Sequence, residues 1–151
     1  MYSLVRRFIK TAIGFLLAGL ALGGWMIVRR ELYGVFPGRY EISAHTHAIL
    51  VGFVIMMILG VALWLFPRPE KTDVRYRPAL AEAAYWLLTV GTAARLLGEL
   101  ARPAITAAWL RWAVVAASLC QIAAVLLFFH TMWSRIRSVG SQAREAKGER
   151  F

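Results

Sequence analysis

Four long runs of apolar residues dominate the chain, and short polar stretches containing proline separate them. Each run is close to the ~20 residues that a helix needs to cross the hydrocarbon core of a bilayer. None alternates between apolar and polar positions as the strands of a membrane barrel do. The pattern therefore predicts an all-α membrane protein, an up-down bundle of four transmembrane helices over about residues 11–28, 44–66, 79–100 and 106–133.

The composition agrees with a membrane location. Of the 151 residues, 60% are hydrophobic and only 17% are charged, whereas a soluble domain has about a quarter charged residues. So much apolar surface also excludes intrinsic disorder. The single cysteine, Cys120, excludes an intrachain disulfide and a paired-cysteine zinc site.

The charge of the chain predicts its orientation. Eighteen Lys and Arg against eight Asp and Glu give a net charge of +10, which in a soluble protein would suggest nucleic acid. In a membrane protein, basic residues instead collect in the cytoplasmic loops. They are densest before the first run, between the second and third, and after the fourth. We therefore expect no nucleic-acid partner, cytoplasmic termini, a transmembrane domain over residues 1–137, and a basic cytoplasmic tail over 138–151 beside membrane lipid.

Polar and ionisable groups within membrane spans are costly, so each one is a candidate functional residue. Histidine is the most informative of them because imidazole binds both haem iron and metal ions. The candidates in and beside the runs are His45, His47, Glu82, Arg95, Glu99, Gln121 and His130.

The two histidines that open the second run point in different directions on a regular helix. Positions two apart are separated by about 200° around the axis. His45 shares its face with Gly52 and Met56, whereas the face of His47 carries branched residues such as Ile58. Glycines beside His45 would let a flat group approach, which favours a haem. The alternatives are a histidine bonded to a backbone carbonyl and a copper or zinc site.

The second run also resembles a known helix. It is similar to helix II of subunit I in the haem-copper oxidase superfamily, above all in short oxidase-like proteins, nitric oxide reductases and C-family cytochrome oxidases. It is also similar to the His-x-His helices of the NnrS-like haem proteins that respond to nitric oxide. The resemblance covers about thirty residues and rests on Gly38 to His47, Gly52-Phe53, Gly60-Val61 and Phe66-Pro67-Arg68.

The resemblance implies a role for individual residues. In those relatives the first histidine of this helix binds a low-spin haem b, which makes His45 the candidate axial ligand. Arg39 would then meet a haem propionate. The superfamily chain is far longer and carries histidines for two haems and a copper, whereas this chain has three histidines. A binuclear centre cannot be assembled from them, so oxygen or nitric oxide reduction is not expected.

A low-spin haem also needs a second ligand. His130 lies at the opposite end of the bundle from His45, about 30 Å away by helical rise. The candidates are therefore His47 on a distorted turn, Met56, no ligand at all, or His45 of a second copy. A two-fold dimer would supply the last of these.

Two further pairs of residues remain open between structural and functional roles. Arg95 and Glu99 form either an internal ion pair or part of an outer site with Arg39 and His45, in which Arg95 binds a propionate. His130 is either an interfacial histidine or part of a second metal site with Glu82.

The leading hypothesis is a haem-b-binding protein of the prokaryotic cytoplasmic membrane. It would act in electron transfer, in sensing of nitric oxide or oxygen, or in haem handling, as a homo-oligomer and with a possible respiratory or denitrification complex as partner. A second hypothesis is copper or zinc bound by His45 and His47, with Glu41 or Glu99 added, and His130 as the ligand of a separate site. The third is a ligand-free assembly subunit of a respiratory complex.

Overall fold

The computed structural model describes residues 2–67, 77–136 and 147–148. All of the regular elements in these ranges are helical, which confirms the all-α prediction. The basic tail predicted over residues 138–151 lies outside the described residues except for Lys147 and Gly148. The elements are α1 (Tyr2–Tyr33), α2 (Arg39–His47), a π-helical segment (Ala48–Ile55), α3 (Met56–Leu65), α4 (Pro78–Ala101), α5 (Ala108–Met132) and a 3-10 turn (Trp133–Arg135).

Helix α2, the π-helical segment and α3 join without a break. The residues at both junctions keep right-handed helical backbone angles, so Arg39–Leu65 forms one rod. The described chain thus contains four long helices, as the hydrophobic pattern predicts. The π-helical segment was not predicted, and it is unusual because π-helices mostly occur as single turns, often at functional sites.

Contacts at both ends show that successive long helices run antiparallel. At one end, Arg29 near the end of α1 pairs with Glu41 at the start of α2, and Ser43 bonds to Glu99 near the end of α4. At the other end, the backbone N–H of Arg77 donates to Thr131 near the end of α5. We call these the Glu41 end and the Thr131 end.

The core lies where α1 crosses the other helices. Phe8 of α1 is fully buried, with edge-on aromatic contacts to Tyr85 of α4 and Phe128 of α5 at centroid separations of 5.1 and 6.0 Å. Thr11 and Tyr85 share a hydroxyl hydrogen bond of 2.9 Å. Such edge-on pairs contribute beyond the area that they bury, so Phe8 helps to join α1 to α4 and α5.

Three helices are long and apolar enough to cross a membrane, namely Ser3–Tyr33, Arg39–Leu65 and Ala108–Arg135. Their outward side chains are apolar, including Leu17, Leu20, Ile58 and Leu126. Helix α4 does not meet the same measure, although we predicted it as a fourth span. It carries Glu82, Arg95 and Glu99, which lower its hydropathy.

The glycine at position 52 allows α1 to approach the π-helical segment. A Cβ atom there would lie 2.6 Å from Cγ and 2.7 Å from Cβ of Phe15, which is closer than real Cβ contacts. We therefore expect Gly52→Ala to lower the free energy of unfolding by about 1–3 kcal/mol through overpacking.

The matched control for this prediction is Gly14→Ala on α1, where a Cβ would meet nothing within 4 Å. Alanine is the better helix former, so this variant should gain up to about 1 kcal/mol. Denaturant unfolding in detergent, followed by tryptophan fluorescence, measures both. Equal stabilities for the two variants would contradict the close packing at Gly52.

Candidate functional site

Helix α1 holds the imidazole of His45 in one orientation. The ring atom Nδ1 lies 2.9 Å from the backbone carbonyl oxygen of Gly19. A carbonyl can only accept, so Nδ1 carries the hydrogen and donates it. In the neutral ring, Nε2 then keeps a free lone pair. No other hydrogen bond to His45 comes from any residue that the structure describes.

Glycine at position 23 makes room for that ring. A Cβ atom on Gly23 would lie 2.8 Å from Cε1 and 3.2 Å from Nδ1 of His45. Gly19 and Gly23 form the small-residue pair of α1 that lets another helix pack closely. The imidazole therefore lies directly against the backbone of α1.

His45 lines an open cavity of about 480 Å³ between α1 and α2, which we call the His45 cavity. Its size is within the range of cofactor and ligand sites in proteins. Gly24 also lines the cavity, and a Cβ on it would meet nothing within 4 Å. The other lining residues are Leu20, Gly23, Met26, Ile27, Arg30 and Pro37.

Arg30 is the basic residue of this cavity. Its Nε atom donates to Glu31 at 2.7 Å, and both side chains are about half exposed. Exposed ion pairs of this kind contribute little to stability, so the guanidinium can exchange Glu31 for a carboxylate of a bound molecule. Arg30 therefore lies where an acidic group on a ligand of His45 would need a partner.

His47 occupies the other face of the same helix. Its Nδ1 donates to the carbonyl oxygen of Ser43 at 2.9 Å, which is one helical turn earlier and again leaves Nε2 with the lone pair. The ring lines a second cavity of about 350 Å³, the His47 cavity. The two histidines therefore face different cavities, as their helical spacing predicts. The other lining residues are Val51, Ile55, Arg95, Ser118, Gln121, Ile122, Val125 and Leu126.

A network of buried hydrogen bonds lies behind the His47 cavity. Arg95 donates from Nε to Oε1 of Glu99 at 3.0 Å and from its NH1 nitrogen to Oγ of Ser118 at 2.9 Å. The hydroxyl of Ser43 donates to the same Glu99 oxygen at 2.8 Å. The Arg95–Glu99 ion pair expected from the i, i+4 spacing is therefore present, and it ties α4 to both α2 and α5.

The second oxygen of Glu99 has no hydrogen-bond partner within the described part of the chain. Oε2 is buried and unpaired, as is the NH1 nitrogen of Arg102 one turn later. An orphaned buried carboxylate oxygen is costly unless a proton or a bound molecule satisfies it. Glu99 is thus a further candidate for function at the Glu41 end.

The predicted outer cluster of Arg39, His45, Arg95 and Glu99 divides between two faces in the structure. His45 faces α1, whereas Arg95 and Glu99 belong to the network beside His47. The guanidinium of Arg39 lies over the ring of Tyr40, 5.3 Å from its centroid, and does not line the His45 cavity. Arg30 takes the position expected for Arg39.

Gly52 and Met56, which the sequence analysis expected beside a haem, both pack against other parts of the protein. The space beside Gly52 holds the ring of Phe15. Met56 is completely buried in the hydrophobic core, and neither residue lines the His45 cavity. Helix α1 therefore packs at Gly52, where the sequence analysis expected a flat cofactor to approach. Room for a ligand lies on the α1 side, beside Gly24.

The structure gives Glu82 and His130, considered from the sequence as a second metal site, different surroundings. Glu82 pairs with Arg7 of α1 at 2.7 Å, and His130 is exposed near the end of α5. Across the described ranges, no group of three or more His, Cys, Asp and Glu side chains could hold a metal ion. A copper or zinc site at His45 and His47 would also have to bridge two faces of one helix.

Sequence reasoning missed Arg30, Met26 and Gly24. The first span was expected to end at residue 28 because two arginines follow, whereas α1 continues to Tyr33. Arg30 is seven residues after Gly23 and therefore on the same helical face. The usable signal was the small-residue pair Gly19 and Gly23, which indicates close approach on this face of α1.

The fold and the two cavities define a helical protein with three potential membrane-spanning helices. Each cavity is lined by a histidine whose Nδ1 donates to a backbone carbonyl oxygen. The chain belongs to the family described as Domain of unknown function (DUF8744), whose model matches residues 5–137. The match includes both cavities and both histidines. No curated protein and no solved structure matches the chain.

Proposed function

We propose that this protein is an integral membrane protein that binds haem b through Nε2 of His45. The observation that carries the proposal is the hydrogen bond from Nδ1 of His45 to the carbonyl of Gly19. Histidines that bind metals almost always donate their other ring N–H to a carbonyl or carboxylate, which fixes the tautomer and the ring orientation. His45 has this arrangement, and it lines the His45 cavity.

The lining of the His45 cavity fits a haem. Leu20 and Ile27 supply apolar contacts for the macrocycle, and Gly23 and Gly24 present bare backbone. Arg30 offers a guanidinium for a propionate. Iron held there would supply reversible one-electron chemistry or binding of a diatomic gas. The chain itself supplies the oriented imidazole, the apolar surroundings and the positive charge.

The identity of the second axial ligand decides whether one chain or two copies of it hold the haem. His47 faces the other cavity and Met56 lies in the core, so neither reaches a haem on His45. Met26 lines the His45 cavity and is the candidate within one chain. Otherwise His45 of a second copy completes the site across a two-fold axis, and the protein is a homodimer. A Met26→Leu variant lowers the reduction potential in the first case and leaves it unchanged in the second.

The membrane arrangement is also part of the proposal. The three apolar helices and α4 cross the cytoplasmic membrane of a prokaryote, with both termini in the cytoplasm. Helix α4 can cross because Arg95 and Glu99 form an ion pair inside the bundle. The basic residues at the Thr131 end support this orientation. The partners would be membrane lipid and a respiratory or denitrification complex.

Absorption spectroscopy of the purified protein tests the haem proposal. We expect a Soret band, with α and β bands after reduction by dithionite, in protein expressed with haem supplied. His45→Ala should lose these bands because the iron loses its ligand. His130→Ala is the matched control and should keep them, since His130 is exposed and lines neither cavity.

Two results would overturn the haem proposal. If the wild-type protein has no Soret band, it does not bind haem. Elemental analysis then distinguishes a copper or zinc site from a ligand-free assembly role. A band that survives in His45→Ala would place the haem elsewhere. Both variants need an unchanged elution volume in detergent, which shows that the fold is intact.

A further inference from the structure

The His47 cavity has the properties of a second binding site, separate from the haem proposed at His45. The hydrogen bond from Nδ1 of His47 to the Ser43 carbonyl leaves Nε2 as an acceptor. No other described residue donates to Nε2. A lone pair at the edge of an apolar cavity best accepts a hydrogen bond from a hydroxyl group.

The charges around the cavity favour a neutral ligand. Arg95 would attract an anion if it were unpaired, but Glu99 neutralises it at 3.0 Å, and the carboxylate is 5% exposed. An added carboxylate or phosphate would compete with Glu99 and leave that buried charge without its partner, which is strongly unfavourable. The guanidinium has five N–H groups, so it can still donate to a neutral oxygen.

The walls of the cavity show where a ligand would enter. They are mainly branched aliphatic side chains from the π-helical segment and α5. Ile122 and Leu126 are 57% and 65% exposed on the surface that lipid would cover. A ligand entering between them would come from the bilayer, so it must be soluble in lipid.

Gln121 is a further polar residue that lines the cavity. The amide nitrogen of Gln121 donates to Thr92 at 3.1 Å, which fixes the amide and leaves its carbonyl oxygen as an acceptor. The residues that line the cavity thus offer acceptors at His47 and Gln121 and a donor at Arg95. A ring with two hydroxyl groups could satisfy them together, because each hydroxyl can both donate and accept.

We propose that the His47 cavity binds the headgroup of a lipid-soluble quinol or quinone. A ring hydroxyl donates to Nε2 of His47, and an oxygen on the ring accepts from Arg95. The isoprenoid tail leaves between Ile122 and Leu126 into the bilayer. The reduced form should bind more tightly than the oxidised form, because only the reduced form has the hydroxyl hydrogen that Nε2 accepts.

This binding site needs the membrane location of the proposed function but not its haem. The experiment therefore includes the His45→Ala variant, which removes the haem ligand and leaves the His47 cavity intact. If His45→Ala still binds quinol, the second site stands whether or not haem is found. Loss of binding in that variant would overturn the claim that the two sites are separate.

The probe is a decyl-substituted benzoquinone, reduced or oxidised, titrated calorimetrically into the protein in detergent. We expect the reduced form to bind more tightly to wild-type protein, and His47→Leu to weaken it about tenfold, the loss of one hydrogen bond. His130→Leu, a change of the same kind at an exposed position, should bind as the wild type does. Ile122→Trp tests entry independently, because it fills the opening from an exposed position, and it should also weaken binding.

Three outcomes would overturn the proposal. Equal affinity in the wild type and His47→Leu would show that Nε2 is not the acceptor. Tighter binding of decanoate than of the quinol would show that the cavity selects an anion. Unchanged binding in Ile122→Trp would place the ligand outside the cavity. Thermal unfolding of each variant in the same detergent verifies that it is folded.

Discussion

Replacing Arg135 with leucine is expected to lower the free energy of unfolding by about 3 kcal/mol, the largest effect on stability that we predict for a single side chain. The Arg135 side chain is 1% exposed. Its Nε atom donates to the carbonyl oxygen of Pro67 at 2.7 Å, and its NH2 nitrogen donates to those of Phe66 at 3.0 Å and Leu63 at 3.3 Å.

The effect is large because Arg135 donates hydrogen bonds to the carbonyl groups at the C-terminal end of α3. The last carbonyl groups of a helix have no partners within it, and the partial negative charge there favours a cation. Arg135 supplies both donors and charge from the 3-10 turn after α5. Leucine would fill part of the volume but leave buried carbonyl oxygens unpaired, and each such group costs about 1–3 kcal/mol.

Unfolding by denaturant in detergent micelles measures the loss. The control is Arg111→Leu, which removes an exposed arginine from the start of α5 and should change stability by less than about 0.5 kcal/mol. Arg135→Lys should fall between the two, because an ammonium cannot span several carbonyl groups as a guanidinium does. If Arg135→Leu were as stable as Arg111→Leu, the carbonyl contacts would not hold α3 and α5 together.

The sequence predicted the helices well because length and hydrophobicity decide them. The first and third apolar runs lie within helices, whereas the second ends one residue after its helix and the fourth begins two residues before its helix. What the pattern could not show was the π-helical segment, since nothing in Ala48–Ile55 distinguishes it from an α-helix. Its i→i+5 bonds rotate the residues that follow. Val51 and Ile55 line the His47 cavity, whereas Ile58, which an α-helical count puts on the same face, does not.

The separation of His45 from His47 was predictable, whereas the surroundings of His45 were not. Helical spacing alone puts residues two apart on different faces. Which side chain fills the space beside Gly52 depends on the neighbouring helix, and only the packed structure shows that Phe15 of α1 does so. Glycines on a helix face thus indicate close approach without indicating whether protein or ligand approaches.

Arg30, the basic residue of the His45 cavity, is another feature that the sequence alone did not predict. Arg30 follows the apolar run, so hydropathy placed it outside the first span. Helix α1 nevertheless continues through Arg30 to Tyr33, because a helix need not end where the bilayer core ends. Sequence reasoning chose Arg39, which is nearer to His45 along the chain but stacks on Tyr40.

Substituting alanine for Gly23 is expected to reduce haem affinity about 10- to 100-fold, the usual effect of removing the group that orients a metal-binding histidine. The new Cβ would lie 2.8 Å from Cε1 of His45. The imidazole is the end of a side chain, so it can turn away, and the helices need not separate. Turning it breaks the hydrogen bond to the Gly19 carbonyl.

This variant separates ligand orientation from fold stability. Because alanine favours the helix and the ring can move, the free energy of unfolding should stay within about 1 kcal/mol of the wild type. Gly14→Ala is the control on the same helix, with nothing within 4 Å of its Cβ, and it should bind haem as the wild type does. Titration of haem into apoprotein, followed at the Soret band, gives the affinities.

Nitrogen NMR of the histidine rings tests the same contact without haem. In wild-type protein, His45 should show a hydrogen on Nδ1 and an unprotonated Nε2, because the Gly19 carbonyl selects that tautomer. Gly23→Ala should shift His45 towards the mixture seen in solvent-exposed histidine and leave His47 unchanged, since the carbonyl partner of His47 is on its own helix. An unchanged His45 signal together with weakened haem binding would mean that the methyl group blocks the cavity itself. Unchanged affinity would show that the Gly19 carbonyl does not prepare His45 for iron.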